Sequence, residues 1–367
     1  MRPGRCGTTD MGLTEFYQNK RVMITGHTGF KGSWLCVMLH QLGARVSGFS
    51  LGLPTEVSMF EKLNLKDLVE HDFRGDVTQR EQFLEAVEAV KPEIVLHLAA
   101  QPIVLQSYRA PLETLHTNVM GTACVLDCIR SISGVRACLV VTTDKCYKNR
   151  EWIWGYRENE ELGGDDPYSC SKACAELVAN CYAKSYFAQG PCQIATARAG
   201  NVIGGGDWAE HRLIPDIVRS ASAGRPVVLR HPESIRPWQH VLEPLYGYLL
   251  LCQQLCETGA PFAGAWNFGP APSQCSSVGK IAGKLCSELG CEITCREAPP
   301  EHEAARLGLD STKAGERLGW RPTLSLDQAL SLTAAWYHCD ADGGNLREKT
   351  EEQLAYFWGW VRAEGAV

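Results

Sequence analysis

Several features are scarce or absent in this chain of 367 residues, and each absence excludes a class of protein. No apolar run reaches the roughly 20 residues that a membrane-spanning helix needs. The 36 lysines and arginines are outnumbered by 42 aspartates and glutamates, so the basic excess of a nucleic-acid-binding protein is missing. No internal repeat or low-complexity segment occurs. We therefore predict a globular protein that binds neither nucleic acid nor a membrane.

The 17 cysteines are numerous, but they lack the patterns of disulfide frameworks and zinc sites. Their count is odd, and no Cys-x-x-Cys pair occurs. Three pairs lie four residues apart on predicted helices: Cys124/Cys128, Cys170/Cys174 and Cys252/Cys256. Small buried thiols in a reducing compartment account for this usage better than a metal does. We expect a cytoplasmic protein without a bound metal.

The first residues, MRPGRCGTTDMG, lack the apolar core of a secretory signal. We predict that residues 1–18 form a flexible amino-terminal tail, and Met11 is a second candidate start. Together with the cysteine usage, this supports the expected cytoplasmic location.

The first half of the chain alternates apolar runs of strand length with runs of helical length. KRVMITG, ARVSGFS and ACLVVTT are typical of strands, whereas GSWLCVMLHQLG and LETLHTNVMGTACVLDCIRSI are typical of helices. This alternation predicts an α/β protein with a doubly wound parallel sheet of the Rossmann type. We place that sheet in residues 19–200. Residues 201–367, richer in Pro and Gly, are predicted to form a smaller mixed α/β lobe that interleaves with the first near the boundary.

The run ITGHTGFKG places Gly26, Gly29 and Gly32 between the first predicted strand and the next helix. Glycines let the backbone turn tightly and approach a pyrophosphate, while the helix start offers unpaired N–H groups. A glycine-rich turn is a weak signal by itself. Its position between a first strand and a helix favours a dinucleotide site over a plain turn.

The acidic residue that usually ends the second strand and bonds the adenosine ribose is missing. Ser50 stands in its place, which leaves the choice between NAD and NADP open. Asp76 follows the third predicted strand. It either bonds the adenine or caps the helix predicted from TQREQFLEAV.

The run DDPYSCSKACAELVANCYAKSYF predicts a helix that Asp166 caps and Pro167 opens. Tyr168 and Lys172 are four residues apart and share one face of it. A nearby ammonium lowers the pKa of a tyrosine, so the tyrosine can act as a base. An exposed pair on a surface helix is the alternative, but the glycine turn and the run VVTTDK favour catalysis.

These runs resemble the extended short-chain dehydrogenase/reductases over almost the whole chain, from about residue 20 to 360. More narrowly, DKCYKNREWIWGYRENE and SIRPWQHVLEPL are similar to the branch of that family that dehydrates CDP-glucose. The resemblance implies an NAD-dependent hydro-lyase with CDP-glucose as its partner. It also implies a homodimer or a dimer of dimers, and a product used for the deoxysugars of surface polysaccharide such as lipopolysaccharide O-antigen.

The reaction implied by the resemblance is oxidation at C4, loss of water across C5 and C6, and return of the hydride to C6. Tyr168 would remove the C4 hydroxyl proton, Lys172 would lower the tyrosine pKa, and Thr143 would bond the C4 oxygen. Asp144 would protonate the departing C6 hydroxyl. Lys145 would either take the C5 proton as an amine or stabilise the enolate as an ammonium.

The resemblance also implies two sets of binding residues. The cofactor set is Gly26, Thr28, Gly29, Phe30, Lys31, Gly32, Ser50, Asp76, Val77, Leu98, Ala99, Ala100, Tyr168 and Lys172. The set for the nucleotide sugar, expected mainly from the second lobe, is Gln101, Asn201, Arg212, Arg236, Asn267 and His302. Arginine forks suit phosphate oxygens, although Arg212 and Arg236 could instead form surface salt bridges.

Three alternatives remain open. A nucleotide-sugar 4-epimerase would share Thr143, Tyr168 and Lys172 but would not need the pair Asp144–Lys145. A dehydratase for another nucleotide sugar is possible because cytidine is implied by resemblance alone. A non-catalytic dinucleotide-sensing regulator would typically have lost the tyrosine or the lysine, and both are present.

Overall fold

The computed structural model describes residues 10–271, 274–295 and 306–365. Its strands are β1 (Arg21–Thr25), β2 (Arg45–Ser50), β3 (His71–Arg74), β4 (Ile94–His97), β5 (Ala137–Val141), β6 (Gln193–Ala199), β7 (Asn201–Ile203), β8 (Val227–Leu229), β9 (Ile235–Arg236), β10 (Trp238–His240), β11 (Gly264–Phe268), β12 (Ser276–Ser277) and β13 (Ile293–Cys295). Its α-helices are α1 (Asp10–Tyr17), α2 (Phe30–Gln41), α3 (Met59–Lys62), α4 (Arg80–Val90), α5 (Val104–Arg109), α6 (Pro111–Leu115), α7 (Gly121–Ser131), α8 (Pro167–Tyr182), α9 (Leu213–Ser222), α10 (Leu242–Glu257), α11 (Val278–Leu289), α12 (Thr312–Leu318), α13 (Leu326–Ala341) and α14 (Leu346–Gly365).

Seven strands form one parallel sheet in the order β11–β6–β5–β4–β1–β2–β3. This confirms the predicted α/β doubly wound architecture. The strand order reverses between β1 and β4, and ligands of such sheets bind at the carboxyl ends of the strands at this point. The sequence motifs that follow β1, β4 and β5 are therefore brought to one edge.

The sheet separates two hydrophobic cores, because successive side chains of a strand point to opposite faces. On one face Ile24 and Leu96 pack with Trp34 of α2 and Leu245 of α10. On the other, Met23, Val95 and Cys138 pack with Phe83 of α4 and residues of α7. Both faces are covered, which explains why the central strands read as continuous apolar runs.

The helix predicted over residues 112–132 is interrupted. A single π-helical turn, His116–Met120, separates α6 from α7. Within it Asn118 accepts a hydrogen bond from the backbone N–H of Gln101 at 2.8 Å and donates one to the Ser171 hydroxyl, also at 2.8 Å. The turn thus ties the loop after β4 to α8, and such insertions often occur near functional sites.

Two findings differ from the predicted domain layout. Residues 10–17 are not a flexible tail, because α1 buries Leu13 and Tyr17 completely and the Tyr17 hydroxyl donates to the Leu249 carbonyl at 2.9 Å. The predicted interleaving of the two parts extends beyond the boundary at residue 201. β11 extends the central sheet and α10 packs beneath it.

In the described ranges, no helix combines the length and apolar character needed to cross a membrane.

Candidate active site

A cavity of about 1780 Å³ lies along the carboxyl edge of the sheet. Pockets for one small molecule usually enclose roughly 300 to 1,000 Å³, so this one has room for two ligands side by side. Every residue of the predicted cofactor set lines it, as do Thr143, Asp144, Lys145, Asn201, Arg212 and Arg236.

The glycine turn between β1 and α2 leaves no room for side chains. A Cβ atom on Gly26, whose φ is +76°, would lie 2.8 Å from the Ala99 backbone nitrogen. A Cβ atom on Gly32 would lie 2.2 Å from the Gly26 carbonyl oxygen. Gly29 precedes α2 without a side-chain cap, so the first N–H groups of the helix face the cavity unpaired by a cap. This cradle fits the pyrophosphate of a dinucleotide.

At the end of β2, Ser50 lines the cavity and its hydroxyl lies 2.8 Å from Nδ1 of His27. Nε2 of that imidazole lies 2.9 Å from a carboxylate oxygen of Asp72 on β3. Sequence reasoning did not identify His27 and Asp72, because they are 45 positions apart. They meet because the turn after β1 places His27 against Gly48 of β2, and Gly48 is paired with Asp72 of β3.

Asp76 also lines the cavity, and its carboxylate accepts a hydrogen bond from the Thr78 backbone N–H at 2.9 Å. It does not cap the following helix. α4 begins at Arg80 after Gln79, without a side-chain cap. The capping alternative is therefore wrong, while the contact of Asp76 with adenine stays a prediction.

Helix α8 begins as predicted. Asp166 is its N-cap and accepts a hydrogen bond from the Ser169 N–H at 2.9 Å, and Pro167 occupies the first helical position. The cap fixes the first turn and with it the position of Tyr168.

Tyr168 and Lys172 both reach the cavity from α8 and are largely buried. Burial raises the pKa of Tyr168 to about 12, and the charge of Arg212 and a hydrogen bond with Thr143 oppose the rise. Burial lowers the pKa of Lys172 to about 8, and its Nζ donates to the Val141 carbonyl at 3.2 Å. The largest influence lowering the tyrosine pKa is thus Arg212, where the sequence had suggested Lys172.

The pair Asp144–Lys145 follows β5 in a short 3₁₀ turn. Thr143 donates to one Asp144 carboxylate oxygen at 2.9 Å. The other oxygen, Oδ2, is buried and has no hydrogen-bond partner among the described residues. Burial raises the pKa of Asp144 against the charges of Lys145 and Arg236. A Cβ atom on Gly200 would lie 3.2 Å from Oδ2, so the glycine keeps the space beside the carboxyl group open.

Lys31, in the first turn of α2, also lines the cavity. Burial, together with the charges of Arg212 and Lys172, lowers its pKa to about 7 against the opposing charge of Asp144. Such influences act over short distances, so these four charged groups share one part of the cavity with Tyr168.

A buried ion pair joins the elements that carry these cavity residues. Arg198 of β6 donates to Glu176 of α8 at 2.7 Å, and both side chains are 3% exposed. Arg198 also donates to the Tyr147 hydroxyl at 2.7 Å. Glu176 accepts hydrogen bonds from the hydroxyls of Thr142 and Thr196. Sequence reasoning missed the pair, although Glu176 is four residues after Lys172 and therefore on the same helix face.

The predicted substrate residues Asn201, Arg212 and Arg236 line the cavity. Arg212 forms an ion pair with Asp207 at 3.0 Å. Further basic residues that sequence reasoning did not single out also line it: Arg219, Arg230 and His231.

Asn267 does not line the cavity, so the structure does not support its predicted contact with a nucleotide sugar. It is fully buried on β11 and accepts a hydrogen bond from the Tyr147 hydroxyl at 2.8 Å. Its amide nitrogen donates to the carbonyls of Tyr156 at 2.7 Å and Asp310 at 3.0 Å. These three bonds use the side chain to join β11 to two loops.

Gln101 is not among the cavity-lining residues either. Its amide donates to the Thr114 hydroxyl at 2.8 Å and accepts from the Ile103 N–H at 2.5 Å, so it shapes the loop after β4. His302 lies outside the described residues.

The chain was compared with known proteins. A family model described as GDP-mannose 4,6 dehydratase matches residues 23–333. A CDP-glucose 4,6-dehydratase of Salmonella typhimurium is 48% identical over 330 residues, which cover 88% of this chain and 91% of that protein. A probable dTDP-glucose 4,6-dehydratase of Sinorhizobium fredii is 26% identical over 86% of this chain and 92% of that protein.

Solved structures show the same fold. The dTDP-glucose 4,6-dehydratase of Streptomyces venezuelae, solved with NAD bound, matches with a TM-score of 0.76. It is 24% identical over 88% of this chain and 98% of that chain. A UDP-glucose 4-epimerase of Thermotoga maritima matches equally well, with a TM-score of 0.76 at 24% identity over 87% of this chain and 99% of that chain. The family model covers most of the sequence and the Salmonella protein is nearly half identical, so the chain belongs to the GDP-mannose 4,6-dehydratase family within the extended short-chain dehydrogenase/reductases.

Proposed function

We propose that this protein is a CDP-glucose 4,6-dehydratase, a hydro-lyase that converts CDP-glucose to CDP-4-keto-6-deoxyglucose and water with bound NAD. One observation carries the proposal. The buried carboxyl group of Asp144, with one oxygen unpartnered among the described residues, lies beside Lys145 in the cavity that Tyr168 also lines. The 48% identity with the Salmonella enzyme supports the same substrate.

The cofactor set around Gly26, Gly29 and Gly32 would hold the dinucleotide. NAD supplies, when bound, a hydride acceptor for C4 of the sugar and a hydride donor for C6. Lys172 would bond the ribose next to the nicotinamide.

Tyr168 would remove the proton of the C4 hydroxyl, and Thr143 would hold the C4 oxygen. Because burial keeps the tyrosine pKa at about 12, the positive charge of Arg212 is needed to make the tyrosinate accessible. Proton removal by a positioned base contributes roughly 10²–10⁴-fold to rate in enzymes.

Loss of water needs an acid at C6. Asp144 suits this role because burial raises its pKa and so favours the protonated carboxyl. Its unpartnered Oδ2 would donate to the departing C6 hydroxyl. Lys145 lines the same cavity and would act at C5, either as the base or as a cation that stabilises the enolate.

The diphosphate of the substrate would be bound by Arg212 and Arg236, with Asn201 beside them. A guanidinium offers a planar fork of donors that matches phosphate oxygens. The finer points of the proposal are a homodimer, cytoplasmic action, and a product that enters deoxysugar synthesis for surface polysaccharide. Exposed apolar residues on α6, the π turn and α8 support the dimer: Leu112, Met120 and Leu177.

A nucleotide-sugar 4-epimerase is the second candidate, since such enzymes share the fold. It would use Thr143, Tyr168 and Lys172 but has no need for an acid at C6. The buried carboxyl group of Asp144 therefore favours the dehydratase. A dinucleotide-sensing regulator is less favoured because Tyr168 and Lys172 both line the cavity.

The test is to incubate the purified protein with NAD⁺ and, in parallel, CDP-glucose, UDP-glucose, dTDP-glucose and GDP-mannose. Products are identified by mass and by proton NMR. Loss of one water from CDP-glucose alone, with a new C6 methyl signal, is expected. An isomer of unchanged mass would identify an epimerase, and dehydration of another substrate would correct the nucleotide.

A further inference from the structure

Two buried side chains, Ser50 and His27, and the half-buried Asp72 form a hydrogen-bonded chain that ends at the cavity. The Ser50 hydroxyl lies 2.8 Å from His27 Nδ1, and His27 Nε2 lies 2.9 Å from Asp72 Oδ1. Ser50 is 4% exposed and His27 is completely buried. Of the three, Ser50 alone lines the cavity.

The direction of the hydrogen bonds follows from Asp72. A carboxylate can only accept, so Nε2 of His27 carries the proton. Burial lowers the pKa of His27, even though Asp72 favours the charged ring, so the imidazole is neutral. Nδ1 is then an acceptor, and Ser50 must donate its only proton to it.

The oxygen of Ser50 is thereby left with acceptor capacity alone. One lone pair faces the Thr28 backbone N–H at 3.4 Å, and the other is available to the cavity. A group bound there has to donate a hydrogen bond to Ser50.

The ring of His27 is held firmly in place. It lies against the backbone of Gly48, where a Cβ atom would be 2.2 Å from the imidazole carbons. Phe60 contacts it edge to face with ring centres 5.1 Å apart. Glycine is normally unfavourable inside a strand, but any side chain at Gly48 would occupy the space of the imidazole.

The cation in contact with this chain of hydrogen bonds, Arg74, is directed at Asp72. Arg74 donates to the second oxygen of Asp72 at 2.8 Å and does not line the cavity. Both carboxylate oxygens of Asp72 are therefore in use, one by His27 and one by Arg74.

We propose that Ser50, His27 and Asp72 together replace the carboxylate that usually ends the second strand, so that Ser50 accepts the adenosine 2′-hydroxyl of the cofactor and disfavours a 2′-phosphate. This rests on the proposed NAD-dependent function and adds the basis of its cofactor choice. Ser50 supplies the acceptor oxygen. Asp72 holds the imidazole proton on Nε2, so the Ser50 hydroxyl proton is directed to Nδ1 of His27. A 2′-phosphate would bring only acceptors to an acceptor, and the guanidinium of Arg74 is already paired with Asp72.

The first test compares two ligands on two proteins. Dissociation constants of NAD⁺ and of NAD⁺ lacking the adenosine 2′-hydroxyl are measured by calorimetry on the wild type and Ser50→Ala. We expect the wild type to bind NAD⁺ about fivefold to tenfold more tightly than the ligand without the 2′-hydroxyl, which is the contribution of one hydrogen bond. The Ser50→Ala variant should bind the two ligands with equal affinity. Equal affinity of the wild type for the two ligands would overturn the proposal, as would a variant that keeps the difference.

The second test is Asp72→Asn, which changes an acceptor into a group that can also donate. A neutral amide no longer holds the ring proton on Nε2, because its NH2 group can donate there. The tautomer with the proton on Nδ1 then becomes available, and in it the Ser50 hydroxyl can donate to a phosphate. The substitution also releases Arg74. We expect the ratio of the NADP⁺ to the NAD⁺ dissociation constant to fall about tenfold or more.

The matched control is Asp67→Asn, an exposed carboxylate on the same half of the chain. It should leave the ratio unchanged. A purely structural role of Asp72 would weaken both dinucleotides together, and an unchanged ratio in Asp72→Asn would therefore overturn the proposal. Binding is measured without sugar nucleotide, so a protein that binds NAD⁺ selectively but dehydrates no substrate would disprove only the proposed reaction.

Discussion

Glu176 and Arg198 form an ion pair of 2.7 Å beneath the loop that carries Thr143, Asp144 and Lys145. It joins α8, which also carries Tyr168 and Lys172, to β6. Through Thr142 the carboxylate of Glu176 reaches the end of β5 as well. The pair therefore fixes the two catalytic segments relative to each other.

Removing one partner of this pair should be costly. Glu176→Gln leaves the Arg198 charge buried without compensation, and we expect the free energy of unfolding to fall by about 3–5 kcal/mol. Urea denaturation measures this. The exposed Glu85→Gln on α4 is the control and should change stability by less than about 0.5 kcal/mol. A loss of similar size in both variants would contradict the structural role of the pair.

The same variant should shift the pH profile. Glu176 raises the pKa of Lys172, which burial holds at about 8, so Glu176→Gln lowers that pKa further. The ammonium form of Lys172 is then lost at a lower pH. We expect the alkaline limb of kcat/KM that depends on this ammonium to move to lower pH, and a profile unchanged from wild type would argue against the coupling.

Asp144→Asn should stop the reaction after C4 oxidation. The amide cannot supply a carboxylic proton to the C6 hydroxyl, so we expect turnover to fall by about 10²–10⁴-fold while reduced nicotinamide accumulates. Stopped-flow absorbance of the cofactor and NMR of the product measure the two steps. Loss of the oxidation step as well would mean that Asp144 serves chiefly to hold Thr143, which donates to it at 2.9 Å.

Lys145→Ala should likewise slow elimination more than oxidation. Exchange of the C5 proton with deuterated water separates the two roles left open for the amine. If Lys145 is the base, exchange is lost together with turnover; if it stabilises the enolate as a cation, Lys145→Arg should restore part of the exchange. Full turnover in Lys145→Ala would exclude both roles.

Arg212→Gln should make Tyr168 harder to ionise. The guanidinium charge lowers the tyrosine pKa, which is about 12 with Arg212 in place, so removal of the charge raises this pKa. Because the base form of the tyrosine is active, the acid limb of kcat/KM should move to higher pH. The exposed Arg157→Gln serves as the control. An increase in KM alone, with an unmoved pH limb, would assign Arg212 to phosphate binding only.

Local patterns made part of this site predictable. The glycine turn, the cap of α8 and the pair Tyr168–Lys172 each depend on residues within a few positions of one another. The parallel sheet also follows from alternating local runs, and its predicted architecture is confirmed.

Contacts between distant segments were not predictable in the same way. His27 meets Asp72 because the turn after β1 packs on Gly48 of β2 and β2 pairs with β3, and Glu176 meets Arg198 because α8 packs on β6. Asn267 illustrates the opposite error. The family resemblance implied a ligand contact, but the sheet buries the side chain and its amide donates to backbone carbonyls. A polar side chain that is expected to bind a ligand can instead stabilise the fold, and its surroundings in the structure distinguish the two roles.

The position of β11 bears on how this protein is made. β11 lies at the edge of the central sheet next to β6, yet 64 residues of chain separate Ala199 from Gly264. During synthesis β6 remains an open sheet edge until those residues have emerged, and open edges invite association with other chains. A fragment ending at residue 200 would keep that edge permanently, so the dinucleotide half cannot be expected to persist as a monomer without the substrate half.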